Sequence, residues 1–238
     1  MEWNMGRRGA MLLLVAGLLG GCAQVPRQAF NAEGAAHVKK VVLVHHENQK
    51  DYEAAVLGHP GMSFGLIGGL IAAADIQVKS AKLTKAIVPE ETRVQERFAE
   101  KLKASLARAG YEPHVVMVPK GRTPEEALGQ AKGRAEGDAL VHVDVIAGYW
   151  AAGPSTDYFP RLLAKVKAVD ARTDKVLYED TITYGYTTPQ VQTVHLASDP
   201  AYRFGTIDAL VADPAKTREG LYMGIDAIAT QIASDLKK

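Results

Sequence analysis

The chain has a single cysteine, Cys22, and the residues before it give its thiol a defined chemistry. Arg7 and Arg8 precede the apolar stretch 10–19, and two glycines come directly before the cysteine. A basic region, a short apolar region and small residues at a cleavage point are the three parts of a secretory signal peptide. We therefore expect residues 1–21 to be removed, which leaves Cys22 as the first residue of the mature chain.

The run Leu19, Gly20, Gly21 and Cys22 resembles the processing site of bacterial lipoprotein signals, in which leucine and two small residues precede a cysteine. The resemblance implies covalent acyl chains such as palmitate on Cys22 and no other cofactor. Once acylated, this cysteine has no thiol for a disulfide or for nucleophilic chemistry. Ala23 stands where an inner-membrane retention signal has aspartate, so the resemblance also implies the outer membrane, with the body in the periplasm.

Other interpretations of the first 22 residues remain open. An ordinary signal peptide with an accidental cysteine would give no lipid anchor. The arginine pair also suggests twin-arginine export, but Gly9, Ala10 and Met11 do not match the hydrophobic pattern that usually follows it. A membrane-spanning anchor is disfavoured, because the apolar run is shorter than the roughly 20 residues that a spanning helix needs.

Histidines and carboxylates elsewhere could in principle bind a metal through two histidines and one carboxylate. The candidates are His45, His46, Glu47, His59, His142 and Asp144. Neighbouring residues of a strand point to opposite faces, so His45 and His46 are not expected to share one ion. We predict neither a metal site nor catalytic residues, and a periplasmic hydrolase using His142 and Asp144 is the enzyme alternative.

The composition is typical of a folded body attached to the anchor. Hydrophobic residues make up 47%, charged residues 23%, and the formal net charge is +1, so no nucleic-acid partner is predicted. A stretch without periodicity, 22–37, is predicted to be a tether, and 38–238 a single domain.

Strand and helix patterns alternate through this domain. The pattern predicts an α/β (α+β) fold, a two-layer sandwich whose mixed sheet of about five strands has helices mainly on one face. The predicted strands are 38–46, 111–118, 139–150, 161–170 and 175–187. The predicted helices are the glycine-rich segment 61–74 and three that begin near Pro89, Thr123 and Pro214.

A glycine-rich segment, 61–74, is predicted to be helical, with Gly61, Gly65 and Gly69 forming one smooth stripe. A helix with this many glycines needs a packing partner, because glycine costs about 1 kcal/mol against alanine. The partner is the protein's own core, a second copy in a homo-oligomer, or the lipid surface. Spanning is disfavoured, since the segment would be only about 21 Å long.

Four aromatic residues flank the loop 151–157: Tyr149, Trp150, Tyr158 and Phe159. Their rings either cover the end of the sheet or form a surface for a protein partner, because aromatic residues are enriched in the centres of interfaces.

Two stretches carry a wider resemblance. In residues 137–143 a small residue, an acidic residue and a second small residue lead into a strand. Residues 168–178 form a strand, a turn that contains Asp170 and Thr173, and a returning strand. On a lipidated chain these look like the α/β domains of curli-secretion, Pel-secretion and penicillin-binding-protein-activator lipoproteins and of the TolB amino-terminal domain. The resemblance implies a non-enzymatic binding or assembly protein of the cell envelope. Unlike the curli-secretion pore, the chain has no long amphipathic hairpins, so no pore is expected.

Overall fold

A computed structural model describes residues 27–119, 123–188 and 194–237, with Met62 described by its backbone alone. One mixed sheet of seven strands runs through these residues, in the order β3-β1-β4-β5-β6-β7, while β2 also pairs with β4. The strands are β1 Lys40–His46, β2 Glu53–Val56, β3 Glu112–Val118, β4 Ala139–Ala151, β5 Phe159–Asp170, β6 Val176–Gly185 and β7 Val194–Leu196.

The sheet is larger than the five strands predicted. The five predicted strands are all present, and the two that were missed, β2 and β7, are four and three residues long. β1 and β2 both run parallel to β4, along its first and last parts. Between them the Gln49 amide donates to the carbonyl of Ala147 at 2.9 Å and accepts from the Ala147 amide at 3.1 Å. This side chain replaces the missing backbone pairing, so the two strands form one interrupted neighbour of β4.

Helices cover mainly one face of the sheet, and the mixed α/β sandwich is confirmed. The main core contains side chains from α1, α3 and α6, whereas a smaller cluster on the opposite face is covered by α4. The helices are α1 Gly65–Ile87, α2 Pro89–Thr92, α3 Val94–Arg108, α4 Pro124–Lys132, α5 Ile207–Ala212 and α6 Pro214–Asp235. The helix predicted after Pro89 is split in two, because Arg93 takes a left-handed conformation with φ of 41°.

The chain before β1 is not a free tether where it is described. The amide of Gln28 donates to the carbonyl of Glu179 at 2.7 Å, and that of Asn31 donates to Leu177 at 2.9 Å. Ala35 is fully buried in the main core. The prediction of a tether over 22–37 is therefore wrong for residues 27–37, which are ordered against β6.

Candidate functional site

The predicted lipidation site, Leu19 to Cys22, lies outside the described residues, which begin at Arg27. Gln28 forms an antiparallel bridge to Glu179, so Arg27 lies on the side of Gln28 that is nearer the end of β6 at Gly185. Arg27 follows this direction, with its Nε atom 3.7 Å from a carboxylate oxygen of Asp180. We call this end of the sheet the anchor end.

Several elements end together at the anchor end. In the strand register Val56 pairs with Ala151, Trp150 with Phe159, and Arg161 with Gly185. The end of β2, the end of β4, the start of β5 and the end of β6 therefore form one edge of the molecule. Arg27 is the fifth residue after Cys22, and five fully extended steps of the chain span at most about 18 Å. This reach includes the edge, because Asp180 beside Arg27 is five strand residues, about 17 Å, from Gly185.

The first half of α1 is apolar and exposed at the same edge. We call residues 64–74 the apolar tip. Its large apolar side chains are exposed by 59% to 83%. No charged residue occurs between Phe64 and Asp75. These side chains are Phe64 75%, Leu66 83%, Ile67 75%, Leu70 65% and Ile71 59%. The sequence analysis identified the segment by its glycines and missed these five residues, although an uncharged run with large apolar side chains was visible.

The prediction that Gly61, Gly65 and Gly69 form one helical stripe is wrong, because Gly61 does not belong to the helix that contains the other two. Gly61 lies in a 3-10 turn, Pro60–Phe64, that folds back onto α1, where its partner is Gly68. A Cβ atom on Gly68 would come within 1.9 Å of the Gly61 carbonyl oxygen. Gly65 begins the helix with φ of +61°, and Gly69 has open space beside it. The glycines therefore allow the turn to pack on the helix, instead of forming one stripe along it.

The four flanking aromatic residues divide between the two faces of the sheet. Tyr149 and Tyr158 are buried in the main core, and the Tyr149 hydroxyl donates to the carbonyl of Thr217 at 3.0 Å. Strand residues alternate in direction, so Trp150 and Phe159 face the other side, where both are only partly buried. A partner surface that includes Tyr149 and Tyr158 is therefore excluded by their burial.

Trp150 and Phe159 belong to a cluster that we call the aromatic face, together with Tyr186, Arg161 and Arg203. The Tyr186 ring lies 6.2 Å from that of Trp150 and 6.4 Å from that of Phe159. The guanidinium of Arg161 lies 3.7 Å from the centre of the Trp150 ring, and that of Arg203 lies 4.5 Å from the Phe159 ring. Cations stacked on aromatic rings in this way stabilise the cluster. Sequence analysis missed both arginines and Tyr186.

Arg161 is unusual because it is largely buried. Its side chain is 8% exposed, and its Nε atom has no hydrogen-bond partner among the residues that the structure describes. Burial lowers the pKa of Arg161, an effect that nearby Glu53 opposes. Glu53 is held in place by the indole of Trp150, which donates to its carboxylate at 3.1 Å. The ring of Trp150 thus positions both the cation and the carboxylate.

The histidines form a closed pair instead of an open site. The Nε2 atoms of His46 and His142 are 3.0 Å apart, and both residues are buried. His46 Nδ1 lies 3.2 Å from the carbonyl of Pro119, which can only accept, so Nδ1 carries the proton. In the neutral pair, His46 Nε2 is then the acceptor and His142 Nε2 the donor. Burial, together with His46, lowers the pKa of His142 to about 4.

The other candidates for chemistry do not join this pair. His45 donates from Nδ1 to the carbonyl of His46 at 2.8 Å, and His59 lies 3.8 Å from Asp75 beside α1. Asp144 is two residues from His142 on β4 and forms a cross-strand pair with Lys165. Within 27–119, 123–188 and 194–237 no group of three metal-ligating side chains is present, and no helix there is long and apolar enough to cross a membrane.

The two stretches that carried the wider resemblance have structural roles. The carboxylate of Asp138 accepts from the amides of Lys39 and Lys40 at 2.8 and 2.9 Å, which ties the start of β4 to β1. Asp170 accepts from the amides of Arg172 and Thr173 at 2.9 and 2.8 Å and shapes the turn between β5 and β6. These residues explain the fold and assign no activity.

Comparison with known proteins leaves the function open. No protein-family model and no curated protein matches this chain. Among solved structures, the PelC dodecamer from Paraburkholderia phytofirmans is similar at 12% identity and a TM-score of 0.37, over 90% of this chain and 96% of that one. The lipoprotein GNA1162 from Neisseria meningitidis is similar at 15% identity and a TM-score of 0.30, over 82% and 99%. The protein CT253 from Chlamydia trachomatis is similar at 10% identity and a TM-score of 0.34, over 84% and 98%. At TM-scores below 0.5 these likenesses carry no argument about function.

Proposed function

We propose that this chain is a lipoprotein of the outer membrane, held by acyl chains on Cys22, whose body is a non-catalytic binding or assembly factor for an envelope complex. The observation that carries the proposal is the processing site, Leu19 to Cys22, followed only five residues later by an ordered body. With more than one acyl chain, such an anchor is durable, because each buried methylene contributes about 0.8 kcal/mol.

A binding role is supported by the kind of surface that the body has. The aromatic face combines partly buried rings with two stacked arginines, the residue types that dominate the energy of protein interfaces. The enzyme alternative has less support. His142, its proposed catalytic histidine, is 2% exposed, and its Nε2 atom is already bonded to His46.

Self-association through Gly61, Gly65 and Gly69 is a second form of the binding hypothesis. Its support is reduced, because Gly61 packs against Gly68 of the same chain. The aromatic face and the apolar tip are the other surfaces that a homo-oligomer could use.

Site-specific photo-crosslinking in intact cells tests the binding role. A photoreactive phenylalanine analogue would replace Phe159, and the matched control would replace Arg172, an exposed residue in the turn at the opposite end of the sheet. We expect a discrete adduct with another envelope protein at position 159 and none at 172. An adduct of twice the chain's mass would support the homo-oligomer, and identical patterns at both positions would contradict a partner at the aromatic face.

A further inference from the structure

We propose that the apolar tip of α1 inserts into the surface of the membrane in which Cys22 is anchored, and so orients the body on the bilayer. This inference rests on the lipid anchor of the proposed function and adds a second contact between the protein and lipid.

The apolar tip is a concentrated patch, unlike the exposed apolar residues that occur singly on most proteins. Five large side chains, from Phe64 to Ile71, lie within eight consecutive residues, and each is more than half exposed. Contiguous apolar patches of this kind mark contacts with proteins or membranes, because water solvates them poorly.

The shape of the exposed surface favours lipid over a second helix. At 3.6 residues per turn, Leu66, Ile67, Leu70 and Ile71, together with exposed Ala73 and Ala74, occupy one broad arc of about 160° around the helix. This arc is wider than the narrow seam that a coiled-coil partner covers, and helix faces that are broad and apolar are the ones that bury themselves in a membrane interface. Only Gly68 and Ala72 are buried here, on the side that meets the body.

The position of the apolar tip in the fold also supports a contact with lipid. The amides of Tyr52 and Ala54 donate to the hydroxyls of Thr84 and Ser80, so α1 runs antiparallel to β2. At 1.5 Å per helical residue and about 3.3 Å per strand residue, α1 passes the end of β2 near residue 76. Residues 65–75 therefore extend about 15 Å beyond the sheet at the anchor end, the edge that a lipid on Cys22 can reach from Arg27.

The length and charge of the tip suit insertion into one leaflet. Ten uncharged helical residues, 65–74, span about 15 Å, half of a hydrocarbon core of about 30 Å. Polar residues begin with Asp75, which pairs with Lys79 at 2.5 Å, and Lys82 pairs with Asp208 at 3.2 Å. The charged half of α1 is joined to the body by the Lys82–Asp208 pair and by the hydrogen bonds of Ser80 and Thr84, and the uncharged half extends beyond the sheet.

Depth-dependent fluorescence quenching tests this proposal on the acylated chain. Because Cys22 is the only native cysteine and is acylated, Ile67→Cys introduces a single reactive thiol. A polarity-sensitive dye on this thiol would be measured in phosphatidylethanolamine and phosphatidylglycerol vesicles, with and without lipids that carry nitroxides on their acyl chains. Gln77→Cys is the matched control, since residue 77 is exposed on the same helix about 15 Å further along.

We expect blue-shifted emission at position 67 and at least twofold quenching by the nitroxide lipids, with little quenching at position 77. Equal, water-like emission at both positions would overturn the proposal. A blue shift at 67 that nitroxide lipids do not quench would also overturn it, because a second protein copy would then cover the tip. Labelling of Cys22 itself, with no flotation of the chain on vesicles, would overturn the proposed function and this inference together.

Discussion

Replacing Trp150 with leucine should destabilise the body by about 2–3 kcal/mol. The change removes the ring that lies 3.7 Å from the Arg161 guanidinium, a contact worth about 1–2 kcal/mol when the cation is largely desolvated. It also removes the indole that donates to Glu53, which is worth about 1 kcal/mol because water can replace it at this partly exposed carboxylate. Trp150→Phe is the matched control: it keeps a ring under Arg161 and should cost only about 1 kcal/mol.

Urea unfolding of the chain from Ala23 onward, followed by circular dichroism, measures these differences. A second measurement isolates the stacked pair, because Arg161→Met should cost about 1–2 kcal/mol less in the Trp150→Leu background than in the wild type. If both Trp150 variants lie within about 0.5 kcal/mol of the wild type and the coupling is absent, the ring contributes little to the fold. The described packing of the aromatic face would then be refuted.

Two further predictions concern the histidine pair and the glycine contact. Burial lowers the pKa of His142 from 6.5 to about 4, so the unfolded chain binds the proton at a higher pH than the folded chain does. The free energy of unfolding should therefore fall by up to about 3 kcal/mol as the pH is lowered from 6.5 to 4. A His142→Leu variant should lose this part of the pH dependence, and an unchanged profile in urea titrations would contradict the burial of the pair with His46. Gly68→Val should lower the melting temperature, because its Cβ atom would lie 1.9 Å from the Gly61 carbonyl oxygen, whereas Gly69→Ala, with open space, should raise it slightly. Equal melting temperatures for the two variants would contradict the close approach.

Much of the architecture follows from periodicity in the sequence. Alternating valines in β4 and the regular apolar spacing of α3 and α6 predict their elements, since long periodic segments leave one face to bury. The short strands β2 and β7 have too few residues to show a period. They exist because they complete the edges of a sheet that longer strands have already formed.

The candidate site depended on tertiary contacts that one sequence does not specify. Alternation along a strand could have separated Tyr149 from Trp150, because neighbouring residues point to opposite faces. Nothing local, in contrast, indicates that Arg161 lies over Trp150 or that Gly61 meets Gly68. The exposure of Leu66 also follows from where α1 lies relative to the sheet, since the same residues on a covered helix would be core.

The mass of the amino-terminal peptide shows whether Cys22 is the acylated first residue of the mature chain. Trypsin cleaves after Arg27, so the mature chain extracted from outer membranes should yield a peptide of residues 22–27. If Cys22 is the lipid anchor, we expect this peptide to begin at Cys22 and to carry the added mass of several acyl chains. A peptide of unmodified mass, or a chain whose first residue is not Cys22, would contradict the lipid anchor.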